Sequence, residues 1–257
     1  MSRIFITGSA DGLGQMAANL LIKDGHRVLL HARNPLRGEE AMAAAPGAET
    51  VVIGDLSSIA ETIKVAEQVN KLGHFDAVIH NAAVGYQEGK RIETIDGLPH
   101  VFAINSLSPY ILTSLINKPR RLVYLSSGLH RDGDPSLQDL EWNDRRWNGF
   151  AAYADSKLHN VILAFYAARQ WPDVYSNALE PGWVATKMGG PSAPDSLEEA
   201  PKTQVWLAAG NDAGALVSGK YFYHKKLRTV HPATSDPEVQ YRFIATCERL
   251  SGVKFQG

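Results

Sequence analysis

Short apolar runs rich in valine, isoleucine and leucine recur between longer amphipathic stretches through most of this 257-residue chain. Strand-like runs fall at Arg3–Thr7, Arg27–His31, Glu49–Ile53, Ala77–His80, Arg121–Ser126, Tyr175–Leu179 and Gly219–Tyr223. Helix candidates lie between them, around 13–24, 36–45, 57–72, 98–117, 153–170 and 198–209. A strand that is apolar on both faces must be covered on both faces, and parallel strands flanked by helices meet that need. The alternation therefore predicts an α/β fold: a doubly wound parallel sheet in a three-layer α/β/α arrangement. No repeat or low-complexity linker interrupts it, and 44% hydrophobic content is enough for one large core. A single domain over 1–257 is expected.

Composition removes several function classes. A formal charge of −1 gives no electrostatic reason to expect nucleic acid or an anionic membrane as partner. One cysteine, Cys247, excludes an internal disulfide framework and a multi-thiolate metal site, and none of the nine histidines forms a His-Glu-x-x-His pair. No metal is expected. No apolar stretch is long enough to span a bilayer, and the chain runs at once into Ile4-Phe5-Ile6. Neither a signal nor a transit peptide is expected, and a cytoplasmic setting fits.

The first strand leads into Thr7-Gly8-Ser9-Ala10-Asp11-Gly12-Leu13-Gly14 and then directly into a helix. A glycine-rich turn at a helix N-terminus lets backbone amides and the helix dipole meet a pyrophosphate. Glycine is required where a Cβ would block the phosphate or the helix–strand contact. Three residues rather than one separate the first two glycines, a departure from the usual dinucleotide fingerprint. Strand two ends in His31-Ala32-Arg33-Asn34, with no carboxylate until Glu39. An acidic residue at this point favours NAD, whereas an arginine accommodates the 2′-phosphate of NADP. Arg33, helped by Arg37, can pair with a phosphate, so NADP(H) is expected ahead of NAD(H).

Tyr153 and Lys157 can carry a proton. Residues four apart share a helix face, so phenol and ammonium point at one spot. A phenol of pKa ~10 exchanges protons poorly at neutral pH, and a neighbouring cation brings that value down. The same spacing occurs at Tyr86/Lys90 and Tyr221/Lys225. Gly85 and Gly89 make the first a loop, and the aromatic run Gly-Lys-Tyr-Phe-Tyr-His makes the second a strand. Only Tyr153 opens a long helical pattern, with Leu158, Val161, Ile162, Phe165 and Ala168 at helical spacing.

Two irregular stretches, 128–150 and 182–201, follow strands that should end on the same edge of the sheet. Ligands bind outside the carboxyl ends of strands in such folds, which makes these loops candidate pocket walls. Trp142, Trp147, Trp183 and Met188 either line an apolar pocket there or are ordinary core and surface residues.

Taken in order, these residues resemble the classical short-chain dehydrogenase/reductase family, a group with the Rossmann fold, over essentially the whole chain. Its glycine motif matches Thr7 to Gly14. Its adenine-contacting Asp-Leu matches Asp55-Leu56, and its Asn-Ala-Gly element appears as Asn81-Ala82-Ala83, with alanine in place of glycine. The catalytic asparagine, serine, tyrosine and lysine match Asn105, Ser127, Tyr153 and Lys157. The Pro-Gly and threonine near the nicotinamide amide match Pro181-Gly182 and Thr186. From Ser127 to Tyr153 is 26 positions, about twice the usual separation. That insertion, Ser-Ser-Gly-Leu-His and Val217-Ser218-Gly219-Lys220-Tyr221-Phe222 look like the retinol dehydrogenase-like branch, whose membrane anchors are absent here.

The resemblance implies hydride transfer between NADP(H) and an apolar carbonyl or alcohol, with Ser127 and Tyr153 bonded to the reacting oxygen. Lys157 would lower the tyrosine pKa and bind the nicotinamide ribose. Asn105 would hold a helix bend and a water leading to Lys157. Family members assemble as dimers or tetramers, and the sequence leaves monomer and homo-oligomer both open. A redox-sensing dinucleotide-binding protein without turnover is the alternative, but it has no need of Ser127, Tyr153 and Lys157 together. A hydrolase or a P-loop NTPase is excluded by the absence of Gly-x-Ser-x-Gly and of a glycine-lysine-serine/threonine loop.

Overall fold

The computed structural model describes residues 1–256. Eight strands form one sheet: β1 (Arg3–Ile6), β2 (Arg27–Ala32), β3 (Thr50–Ile53), β4 (Ala77–His80), β5 (Arg121–Leu125), β6 (Tyr175–Glu180), β7 (Lys220–Tyr223) and β8 (Lys226–Leu227). Their spatial order is β3-β2-β1-β4-β5-β6-β7-β8, and every neighbouring pair is parallel except β7 with β8. Strand order reverses between β1 and β4, the topological switch point at which doubly wound sheets open a crevice. β8 was not visible as a strand in the sequence. It is a two-residue return, reached through His224 and Lys225 at φ 48° and 61°, the left-handed geometry of a tight hairpin turn.

Strand side chains alternate between two apolar layers. On β1, Ile4 and Ile6 enter a layer with Leu21, Val28, Leu30 and Leu207, while Phe5 enters the opposite layer with Val78, Tyr124 and Leu158. Helices α1 (Gly12–Lys23), α2 (Pro35–Ala44) and α7 (Lys202–Ala209) supply residues to the first layer. Helices α3 (Ile59–Lys71), α5 (Ser108–Leu115), α6 (Gly149–Gln170) and α8 (Pro237–Ser251) supply the second.

Three helical expectations change. The stretch 98–117 is not one helix but a short α4 (His100–Phe102), a π-helical turn (Ala103–Leu107) and α5. Helix α6 begins at Gly149 with Asn148 as N-cap, its side chain accepting from the Ala151 N–H at 3.1 Å, so Tyr153 lies in the second turn rather than opening the helix. Helix α8, absent from the sequence expectations, buries Val239, Phe243, Ile244 and Cys247 along one face. No helix among the described residues is long and apolar enough to cross a membrane.

Candidate active site

Seven parallel strands deliver their carboxyl ends to one edge, and the sequence-predicted residues follow six of them, β1 to β6. After β1, Gly8 packs so closely that a Cβ there would lie 2.8 Å from Ala82 Cα. A Cβ on Gly14 would meet the Gly8 carbonyl at 2.4 Å and Asn81 Nδ2 at 2.5 Å. Gly12 differs: it holds φ +56°, and a Cβ there would meet nothing within 4 Å. Asp11 is the N-cap of α1 but makes no side-chain cap, and Leu13 lies in the first turn. The α1 N-terminus thus presents its amides without a side-chain acceptor from Asp11, as an anion-binding turn requires. The Asp11 carboxylate instead pairs with Arg37 at 2.6 Å and with Lys187 at 2.9 Å.

Four side chains, Thr7, Asn81, Ser9 and His31, brace this loop. Thr7 Oγ1 accepts from the Asn81 and Ala82 amides, both at 3.0 Å, while Asn81 Nδ2 donates to the Thr7 and Gly8 carbonyls at 3.0 Å each. Ser9 Oγ donates to the Ile6 carbonyl at 3.0 Å and accepts from the His31 amide at 2.9 Å. His31 went unnoticed as a site residue. Its Nδ1 accepts from the Gly8 amide at 3.0 Å, which makes Nε2 the donor to the Gly54 carbonyl, also at 3.0 Å. Burial lowers its pKa to about 4, with the bond to Gly54 opposing, so the imidazole is neutral. Asp55, Leu56, Ala83 and Arg33, expected from the sequence to meet a cofactor, occupy the same edge. Asp55 is exposed and accepts from the Ser57 amide at 2.9 Å, Leu56 is buried, and Ala83 is half-buried. Arg33 is exposed and makes no hydrogen bond among the described residues, whereas Arg37 is committed to Asp11 and Glu40.

The proton-handling residues converge from three elements. Lys157 is buried on α6, its Nζ donating to the Leu125 carbonyl at 3.1 Å and lying 5.2 Å from the Tyr153 ring centroid. Burial brings its pKa down to about 8. Burial pushes the Tyr153 phenol well above its ordinary range, and the neighbouring Ser127 hydroxyl pulls the other way. The expected downward pull of Lys157 on the phenol is not realised, because the ammonium faces a carbonyl and the ring rather than the phenol oxygen. Tyr153 is therefore a neutral phenol, a proton donor. Its hydroxyl has Met188 Sδ at 3.7 Å, and Tyr86 meets its ring edge-on at 5.7 Å between centroids. The two adjacent serines separate clearly: Ser126 Oγ donates inward to the Lys157 carbonyl at 2.8 Å, leaving Ser127 as the serine beside the phenol.

Asn105 lies in the π-helical turn. Its Oδ1 accepts from the Val84 amide at 2.8 Å, while Nδ2 donates to the Val84 carbonyl at 3.0 Å and Ser156 Oγ at 3.0 Å. A π-turn widens the helix by one residue and turns a polar side chain inward, and such turns cluster at functional sites. Asn105 thus ties the segment after β4 to α6, three residues from Tyr153. His80 and His159 are buried packing residues, bonded to Thr113 at 3.1 Å and Ser106 at 2.9 Å. Tyr86/Lys90 lies in a loop. Tyr221 is a buried strand residue whose sequence partner Lys225 is in the hairpin turn.

A cavity of about 710 Å³ opens above these groups, within the range of small-molecule sites. Both predicted loops contribute to its wall, through Gly128, Leu129 and Phe150 on one side and Gly182, Trp183, Thr186 and Met188 on the other, beside Ser127 and Pro181. Gly182 takes φ +94°, and a Cβ there would press on the Asp195 carboxylate, which accepts from the Trp183 amide at 2.6 Å. Thr186 Oγ1 accepts from the Gly189 amide at 3.2 Å. Trp142 and Trp147 are not cavity residues. They pack edge-on against each other at 5.1 Å, beside Val101 and Ala152.

Residues 2–120 match the short chain dehydrogenase family model. An uncharacterized oxidoreductase of Emericella nidulans is 44% identical over the full length of both chains. Human retinol dehydrogenase 13 is 30% identical, the alignment covering 98% of this chain and 85% of that one. A solved structure from Mycobacterium paratuberculosis superposes with a TM-score of 0.86 at 23% identity, covering all of this chain and 96% of the other, and shows the shared fold. With the glycine turn, the buried lysine and the phenol on one sheet edge, these relationships make the chain an oxidoreductase of the classical short-chain dehydrogenase/reductase family, in its retinol dehydrogenase-like branch.

Proposed function

We propose that this protein is an NADP(H)-dependent reductase of small, largely apolar carbonyl compounds, working in the alcohol-oxidising direction when substrate supply reverses. The observation that carries the reading is a neutral, buried Tyr153 hydroxyl facing a mostly apolar cavity beside Ser127. When bound, the dinucleotide supplies or accepts the hydride.

The chain's own residues do the rest. The α1 amides and Gly12 receive the pyrophosphate, with Gly8, Ser9, Asp11, Leu13 and Gly14 shaping the turn. Asp55 and Leu56 border the adenine, Arg33 meets the 2′-phosphate, and Asn81, Ala82 and Ala83 back the ribose side. Pro181, Gly182 and Thr186 border the nicotinamide amide. Ser127 and Tyr153 donate hydrogen bonds to the carbonyl oxygen, which becomes an alkoxide as the carbon is reduced. Donors already in place for that charge lower the barrier without reorganisation. Tyr153 gives its proton to the oxygen and is reprotonated through the water path to solvent, while Lys157 binds the nicotinamide ribose. Asn105 holds the π-turn and a water path from Lys157 to solvent. The methyl of Ala83 alters the cofactor fit slightly. The reaction takes place in the cytoplasm.

Tyr153→Phe tests the reading. NADPH affinity should stay within a few-fold, measured by fluorescence titration, while kcat against a panel of aldehydes and ketones falls roughly 10²–10⁴-fold. Unchanged turnover in this variant would overturn the mechanism.

A further inference from the structure

We propose that Glu180 is a specificity-determining residue that accepts a hydrogen bond from the substrate, selecting aromatic carbonyl compounds that carry a neutral O–H or N–H donor. The inference rests on the reductase reading above and adds the substrate class to it.

Glu180 is the last residue of β6, and the register that pairs Leu125 with Leu179 carries Ser126 alongside it. Its carboxylate is part of the cavity wall. A Cβ on Gly128 would fall 2.7 Å from Glu180 Oε2. Glycine after Ser127 thus leaves the space that the carboxylate fills, one residue from the serine that faces the reacting oxygen.

That carboxylate is half-buried, yet among the described residues it accepts no hydrogen bond and forms no ion pair within 4 Å. The two cations of the same wall are occupied elsewhere. Arg131 Nη2 donates to the Thr229 carbonyl at 3.0 Å, and the Arg228 guanidinium lies 5.2 Å from the Tyr223 ring centroid. Asp195, the other carboxylate lining the cavity, already holds the Trp183 amide. Burial raises the Glu180 pKa, with Arg131 and Arg228 opposing, as expected of an acceptor partly withdrawn from water without a protein donor. A half-buried carboxylate without a partner is a cost to the fold that a ligand donor relieves.

The surroundings narrow the donor. The carboxylates of Glu180 and Asp195 are balanced by the guanidiniums of Arg131 and Arg228 on the same wall, so no net charge draws an ammonium and the matching group is neutral. The remaining wall, with Tyr86, Phe150, Trp183, Val184 and Met188, suits a flat ring. A ring held there presents its carbonyl to Tyr153 and its donor to Glu180.

The test compares hydroxy- and methoxy-substituted acetophenones and tetralones, with ring position varied, as matched pairs at pH 8 with NADPH. For at least one substitution position, the wild-type kcat/KM should favour the hydroxy member by roughly ten- to a hundred-fold. Glu180→Leu should bring that ratio near one, and Glu180→Gln, which keeps an acceptor oxygen, should retain part of it. The ratio within one variant is independent of how much folded enzyme survives. Ketone reduction without any hydroxy preference, or a preference that persists in Glu180→Leu, overturns the role of Glu180 and leaves the reductase reading standing. If wild type reduces no member of either series or any other carbonyl compound, the reductase reading itself fails and takes this inference with it.

Discussion

The proposed choice of cofactor rests on one side chain, Arg33. It is exposed at the end of β2 and makes no hydrogen bond among the described residues, while its neighbour Arg37 is held by Asp11 and Glu40. A guanidinium free to form a fork with a phosphate discriminates through one or two charged hydrogen bonds. Arg33→Asp should therefore lower the NADPH-to-NADH ratio of kcat/KM by roughly ten- to a hundred-fold. Steady-state kinetics with both cofactors measures it, and an unchanged ratio would remove Arg33 from the site. At this scale the sequence was legible where chemistry depends on residue type at a fixed place in the chain. Ser127, Tyr153 and Lys157 are of this kind, and the structure brings them together. His31 and Glu180 were not legible. The role of His31 depends on backbone groups from two other segments, Gly8 and Gly54, and that of Glu180 on the missing Cβ of Gly128.

The glycine turn is the element whose geometry can be tested most sharply, because two of its glycines are needed for different reasons. Gly14 has no room for a methyl: the Gly8 carbonyl and Asn81 Nδ2 stand 2.4 and 2.5 Å from its ideal Cβ. Gly12 has room but holds φ +56°. Gly14→Ala should push the turn away from Asn81 and weaken NADPH binding by an order of magnitude or more, with lower thermal stability. Gly12→Ala carries mainly the left-handed strain, about 1 kcal/mol, and should retain the unliganded stability more closely. Isothermal titration and melting curves of the two variants check this, and equal behaviour would refute it. The loop was readable from its glycines, but their division of labour was not. The π-turn at Ala103–Leu107 was equally hidden, since it depends on Asn105 reaching the Val84 backbone. Helix α8 was missed although its start and stop signals stand in the chain: Asp236 caps it, Pro237 begins it, and Gly252 at φ +70° ends it.

On the scale of the whole molecule, alternating apolar runs predicted the parallel sheet because every strand but the last is covered by helices. The two loops were legible as pocket walls but the choice of tryptophan was not, since packing rather than periodicity decides that Trp183 meets the cavity while Trp142 does not. The same burial sets the acid sensitivity of the fold. His31, His80, His130 and His159 are all buried, and burial lowers their pKa values to about 4, 3, 4 and 3. An unfolded chain protonates each near 6.5, so between pH 6.5 and about 4 it binds protons that the folded chain refuses. The stability these neutral imidazoles permit is complete above pH 6.5 and is lost as pH falls toward their folded values. Each fully coupled histidine removes about 1.4 kcal/mol per pH unit in that window. The melting temperature, followed by circular dichroism, should stay level from pH 8 to 7 and then drop by several degrees per unit from pH 6 to 4.5. His159→Phe removes one of these protons. Its ring would keep the stack on Phe243, 4.8 Å away, while losing the bond from Ser106. That variant should melt lower at pH 8 but show a shallower decline below pH 6. A wild-type melting temperature that is level from pH 7 to 4.5 would mean that these histidines find proton-binding partners in the fold after all.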